Sequence, residues 1–259
     1  MSTILRVIQQ IGRSTIEFFR EFGSLNLLTL NIVRNLRWML KDRELVVEQM
    51  MQIGVKGIPL VTVVSIFAGA ISAWQAAYQL EGVMPLDFLG SAAGKGILLE
   101  MGPVLTGLVI AGRNGASIAA EIGTMRVTEQ IDALESMAID PVRYLAMPRV
   151  VAATIMIPVV VIFADTIAMG GAFSVAYLVY NQGAPVFFGA FRDYFDMTDL
   201  VMSLTKGVVF GFSTALIGVH VGLQALGGAK GVGLTAIQSF VYSSAVILIM
   251  DFLLATIIL

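Results

Sequence analysis

The chain has 259 residues, 57% of them hydrophobic and 13% charged, with a mean hydropathy of +0.86. That balance excludes a soluble globular domain and indicates a polytopic membrane protein. There is no cysteine and the formal net charge is −2, so disulfides, thiolate chemistry and Cys-based metal sites are excluded, and no basic tract suggests nucleic acid.

Residues 1–43 carry seven Lys/Arg spaced among Ile, Leu, Val and Phe. Arg6, Arg13 and Arg20 interrupt any signal-peptide core, so the mature chain is expected to start near Met1. The uncharged run 22–33 has 12 residues, too short to cross about 30 Å of hydrocarbon at ~1.5 Å per residue. A basic amphipathic helix lying in the membrane interface, within residues 1–45, is the expectation.

The first span is expected over residues 57–80, with Trp74 and Tyr78 as interfacial anchors. A short loop with Glu81, Pro85 and Asp87 follows. The second span, 88–116, contains Lys95 and Glu100. Between it and the third span lies a soluble-looking amphipathic helix, placed at 124–138 and bounded by Gly123 and Pro141. Val127, Ile131, Leu134 and Ala138 form one apolar stripe there. Arg126, Glu129, Gln130, Asp132 and Glu135 supply the polar remainder. Packing on its own membrane domain and docking into a groove of a cytosolic partner both fit this pattern.

The third span, 150–180, is interrupted by Pro158 and Asp165, and a polar loop from Asn181 to Asp199 follows it. The fourth, 200–226, places Gly207, Gly211, Gly218 and Gly222 on one helical face, a pattern for close helix packing. The fifth is 235–259. Five spans put the termini on opposite sides of the membrane. With the N-terminus inside, the inner segments hold most of the 16 basic residues, from Arg6 to Lys230, whereas the outer loops hold only Arg192. The N-terminus and the 124–138 helix are therefore expected in the cytosol and the C-terminus on the other side. The expected architecture is one all-α membrane domain, residues 1–259.

Catalytic motifs are absent. The string Gly90-Ser-Ala-Ala-Gly94-Lys95-Gly96 lacks the spacing and the Ser/Thr of a phosphate-binding loop. Ser213 and His220 sit two turns apart on one helix, too far for a nucleophile and its base. Asp165 and Asp251 lack the glycine-flanked setting of an intramembrane aspartyl protease. No catalytic residue, metal or cofactor is assigned. Lys95, Glu100, Asp165, Lys206 and Asp251 lie in or at the edges of spans, where a charge usually faces a cavity or a partner. Lys95 and Glu100, five residues apart, are not expected to pair directly.

The string GPVLTGLVIAGRNGASIAAEIGTMRVTEQIDALESMAIDPVRYLAMPRVVA resembles the MlaE permease family, the membrane subunit of MCE-type ABC lipid transporters. The likeness extends more loosely over residues 50–259, including IFAGAISAWQ and SSAVILIMDF. The resemblance implies a homodimer in a bacterial inner membrane, with five transmembrane helices per chain and an N-terminal interfacial helix. It implies that the 124–138 helix is a coupling helix docking on a cytosolic ABC ATPase, which binds the ATP, through Arg126, Glu129, Gln130, Asp132 and Glu135. A periplasmic MCE-domain protein and a STAS-domain protein are the further implied partners. The implied cargo is phospholipid, moving between the inner membrane and the MCE pathway to the outer membrane. The implied lipid cavity at the dimer axis is lined by Ser72, Trp74, Gln75, Leu80, Val83 and Glu100. Leu99 stands where some relatives carry Arg. A membrane scaffold for an MCE protein, and an ion-coupled transporter using Lys95, Glu100 and Asp165 without an ATPase, are the alternatives.

Overall fold

The computed structural model describes residues 2–258, with side chains described from residue 12 onward except Ser14, Glu17 and Phe18. Met1, the Arg6 side chain and Leu259 lie outside the described residues. Among those described, every regular element is helical. Five stretches are long and apolar enough to cross a membrane: Arg43–Leu80, Leu86–Val127, Val142–Leu178, Met197–Leu223 and Gly228–Ile258. The protein is an all-α polytopic membrane protein.

Helix α1 (Ser2–Asn35) precedes the spans. It lays Leu28 and Ile32 on the bundle core and leaves Phe19, Phe22, Leu27, Leu30 and Val33 exposed. A short helix α2 (Arg43–Ile53) leads through a tight turn at residues 54–57 into α3 (Ile58–Leu80). The second spanning stretch is a segmented rod: α4 (Leu89–Gly96), a π-turn over Ile97–Met101, α5 (Gly102–Ile110), a second π-turn over Ala111–Gly115, and α6 (Ala116–Val127). With its leading 3-10 turn it has 42 residues, about 60 Å at 1.5 Å per residue, twice the hydrocarbon thickness. It runs past residue 116 to Val127 and is longer than the hydrocarbon layer requires.

The helix expected over 124–138 is not continuous. Residues 124–127 are the last turn of α6, and a separate helix α7 spans Gln130–Ser136. The break is conformational. Glu129 adopts the left-handed region (φ 59°), which no α-helix propagates, and Ala138 does the same (φ 59°) after α7. Helix α8 (Met147–Leu178) follows a third π-turn at Val142–Ala146 and holds Pro158 within it. The expected loop between the third and fourth spans contains an amphipathic helix, α9 (Ala184–Tyr194), whose Phe187 is fully buried. Helix α10 (Met197–Leu223) starts at a capping box in which Asp196 accepts from Thr198 N (3.1 Å) and Asp199 from Asp196 N (3.3 Å). The last helix is α11 (Gly228–Ile258).

Lipid tails are as apolar as leucine, so association between spans depends on close fit rather than on escape from water. The helices meet at small residues. Gly69 of α3 lies against the Ala168 carbonyl of α8, and Gly171 of α8 against the Ile66 carbonyl of α3, so two backbones touch reciprocally. The glycine face of α10 packs within the chain. Gly207 abuts Pro158 and Gly211 abuts Ala153, while Gly218 and Gly222 rest on Ile118 and Ile122 of α6. A second seam escaped sequence reading: Gly231, Thr235, Ser239, Ser243 and Ile247 of α11, four residues apart, are its buried positions.

Candidate functional site

Three features could carry function: a charged cluster among the spans, the α7 segment and the surfaces of α3. The cluster is centred on Lys206, fully buried on α10. Its Nζ donates to the Leu99 carbonyl (2.7 Å) and to Glu100 Oε1 (3.0 Å). It also pairs with Asp251 Oδ1 of α11 at 2.6 Å. The ammonium thus has two hydrogen-bond acceptors and a third oxygen, from Asp251, at ion-pair distance. The first π-turn, which contains Leu99 and Glu100, brings the second span to this cation; such turns concentrate at functional sites. Glu100 remains 49% exposed on its other side. Lys95 does not pair with Glu100 and instead lies 3.5 Å from Asp199. Asp165 accepts from Ser203 (2.9 Å) and does not face Asp251.

The α7 segment shows two sides. Ile131 is buried and Val127 and Leu134 half-buried, Ile131 and Leu134 in the chain's own core, whereas Ala138 is exposed, so the apolar stripe packs internally except at its last position. The polar side stays out. Glu129, Gln130, Asp132 and Glu135 are exposed. Arg126 Nη1 holds Asp132 at 2.7 Å and Gln130 donates to Thr128 Oγ1 (2.9 Å).

The chain after α7 is clamped to the segment after α1. Arg143 donates from Nε to Asp42 Oδ2 (2.6 Å) and from Nη2 to Oδ1 (2.9 Å). Its guanidinium lies 4.4 Å from the Trp38 ring centroid, within cation–π range. Asn35 donates to Asp140 (3.0 Å). The Arg143 hydrogen bonds hold the Asp42 carboxyl below its usual pKa. Higher on α1, Glu21 meets Gln224 (2.9 Å) and His220 (2.8 Å) of α10, and these two contacts hold its pKa low. Ser213 donates instead to the Phe210 carbonyl, so His220 and Ser213 make no pair. The partners of Asp42, Asn35 and Glu21 all lie about 100 residues away or more, and no local pattern could have found them.

The expected cavity residues of α3 divide between two faces. Ser72 and Leu80 are buried, Ser72 donating to the Ala93 carbonyl (3.4 Å). Trp74 and Gln75 are exposed on the other side of the helix, as is Val83 beyond its end. The physical reason is helical period: residues 72 and 74 differ by about 200° around the axis. In this chain Ser72 and Leu80 serve the packing of α3 on α4 and α8, and only the other four offer open surface.

Comparison with known proteins bears directly on this architecture. The model of the family described as permease MlaE matches residues 46–257. The chain belongs to the MlaE permease family. Among relatives of this MlaE-family chain, a probable ABC transporter permease protein of Rickettsia felis is 35% identical over 251 residues, 97% of either chain. One of Synechocystis, with the same description, is 35% identical over 214 residues, covering 83% of this chain and 81% of that one. The intermembrane phospholipid transport system permease protein MlaE of Haemophilus influenzae is 29% identical over 255 residues, 98% of either chain. The MlaE match begins in α2, so α1 lies outside it while remaining joined to the matched part through Asp42 and Glu21.

Proposed function

We propose that this chain is the transmembrane subunit of an ABC transporter that moves phospholipid between the inner membrane and an MCE pathway toward the outer membrane. It works as a homodimer. A cytosolic ABC ATPase, with a STAS-domain protein, binds and hydrolyses the ATP, and an MCE-domain protein sits at the opposite face. The N-terminus and α7 face the cytosol and the C-terminus faces the periplasm. The relatives named as ABC transporter permeases, and the Haemophilus phospholipid transport permease, support this reading. One observation carries it: a short helix with four exposed polar residues stands at the end of a rod about twice as long as the bilayer needs.

The mechanism follows from how that helix is held. Ile131 and Leu134 anchor α7 in the core, so a push on its charged face moves the bundle. The Asp42–Arg143 clamp passes the push to α1. The rod of α4–α6 passes it inward, with its two π-turns as the points that give. At the first π-turn the displacement reaches Glu100, whose tie to Lys206 links the second, fourth and fifth spans. The exposed Trp74, Gln75 and Glu100 surfaces of two protomers then close on the lipid.

Gentle extraction of the chain from its native membrane, followed by mass spectrometry of bound proteins and lipids, tests this reading. Recovery of an ATPase, an MCE-domain protein and phospholipid is expected. A lone oligomer with no ATPase would overturn it in favour of a scaffold.

A further inference from the structure

We infer that the polar cavity between α2 and α6 is a binding site for a phosphate ester. The cavity, of about 230 Å³, lies at the α7 end of the bundle. Its wall on the second span is built from the family-like string: Arg113, Ser117 and Glu121 recur every four residues along one helical face. Facing them are Gln49, Gln52 and Lys56.

Charge decides the ligand. Two cations line the cavity, and neither has a carboxylate partner among the described residues. The one acid on the wall, Glu121, is already held by Arg149 at 2.8 Å, and Arg149 lies outside the cavity. The lining therefore has two uncompensated positive charges. Arg113 has a structural task as well: its Nη1 donates to the Gln52 carbonyl (3.5 Å) and to Asn114 Oδ1 (2.9 Å), beside the turn at Gly57. Its Nε and Nη2 donors have no protein partner among the described residues. A half-buried guanidinium in that state favours an anion that takes two hydrogen bonds in its plane, as phosphate oxygens do. The amides of Gln49 and Gln52 add neutral donors. The second π-turn carries Arg113, so this wall also departs from regular helix at the proposed contact.

The volume admits a glycerophosphate group but not two acyl chains. The ligand is thus a phospholipid headgroup, with its chains outside in the membrane, or a soluble phosphate ester. The preference for phosphate over carboxylate rests on the permease reading above; the anion site itself rests on the charges.

The test uses the full-length chain in uncharged detergent, titrated calorimetrically with dioctanoyl phosphatidylglycerol and, separately, with glycerol 3-phosphate. Arg113 is left intact because it holds α2. Lys56→Gln is expected to weaken binding about tenfold. Ser117→Leu, which fills the cavity, is expected to abolish it, and Lys230→Gln to leave it unchanged. Lys56-dependent binding of the lipid alone supports a headgroup site; the same dependence with glycerol 3-phosphate supports a site fed from solution. If neither ligand responds to Lys56→Gln or Ser117→Leu while thermal unfolding shows both variants folded, the site is overturned. Lipid transport by wild-type chain assembled with its ATPase is measured in parallel. Transport without Lys56-dependent binding refutes the site alone, and its absence refutes the permease reading alone.

Discussion

Arg143 grips Asp42 with two nitrogens, at 2.6 and 2.9 Å, across 101 residues of sequence. This bidentate contact joins the segment after α1 to the segment after α7, and Trp38 covers the guanidinium. It fixes the orientation of α7 relative to α1.

Asp42→Asn is expected to speed hydrogen exchange at residues 36–42 and to reduce ATP-driven transport, with little change in thermal unfolding. The pH dependence has a definite sign. The Arg143 hydrogen bonds lower the Asp42 pKa in the folded chain, so the clamp is intact at neutral pH and is lost only as pH falls through that lowered value, beneath the ordinary carboxylate range. A loss of protection at residues 36–42 on going from pH 8 to pH 6, after correction for the intrinsic exchange rate at each pH, would contradict this.

Lys206 is fully buried, with carboxylates on two other spans around it. Removing the cation leaves the mostly buried Asp251 carboxylate uncompensated, which costs about 3–5 kcal/mol for a buried pair, while the half-exposed Glu100 remains solvated. Lys206→Met is therefore expected to lower thermal stability in detergent substantially. Adding Asp251→Asn is expected to restore part of it. A single variant as stable as wild type would mean the cluster does not tie the spans together.

Glycine positions on the spans differ sharply in tolerance. A Cβ at Gly211 would lie 2.6 Å from the Ala153 carbonyl oxygen, whereas one at Gly170 meets nothing within 4 Å. Gly211→Leu is expected to force α10 off α8 and to cost at least about 1–3 kcal/mol. Gly170→Ala is expected to be neutral. Unfolding curves of the two variants in the same detergent check the contrast.

The exposed acids of α7 contribute little to folding, since an exposed ion pair such as Arg126–Asp132 is worth about 0.2–1 kcal/mol. Reversing Glu129, Asp132 and Glu135 to Lys is expected to leave unfolding unchanged and to abolish capture of the ATPase. Undiminished capture and transport would remove α7 from the coupling role.

The sequence by itself determined the class, the five spans, and the glycine face of α10. Each of these follows from local composition or from a fixed helical period, which neighbours cannot alter. It also marked the string that carries the family likeness. Its limits appear where a period is broken or where a partner is distant. The 124–138 helix divides because Glu129 takes a left-handed conformation that no propensity signals. Helix α9 forms because Phe187 finds a buried seat against the spans, a gain that a polar-looking loop does not reveal. Ser72 and Trp74, read together as one wall, point to opposite sides of α3. The partners of Lys206, Arg143 and Glu21 were decided only by the tertiary structure. Each pair is joined across about 100 residues or more, or across separate spans, and only packing sets which charges meet.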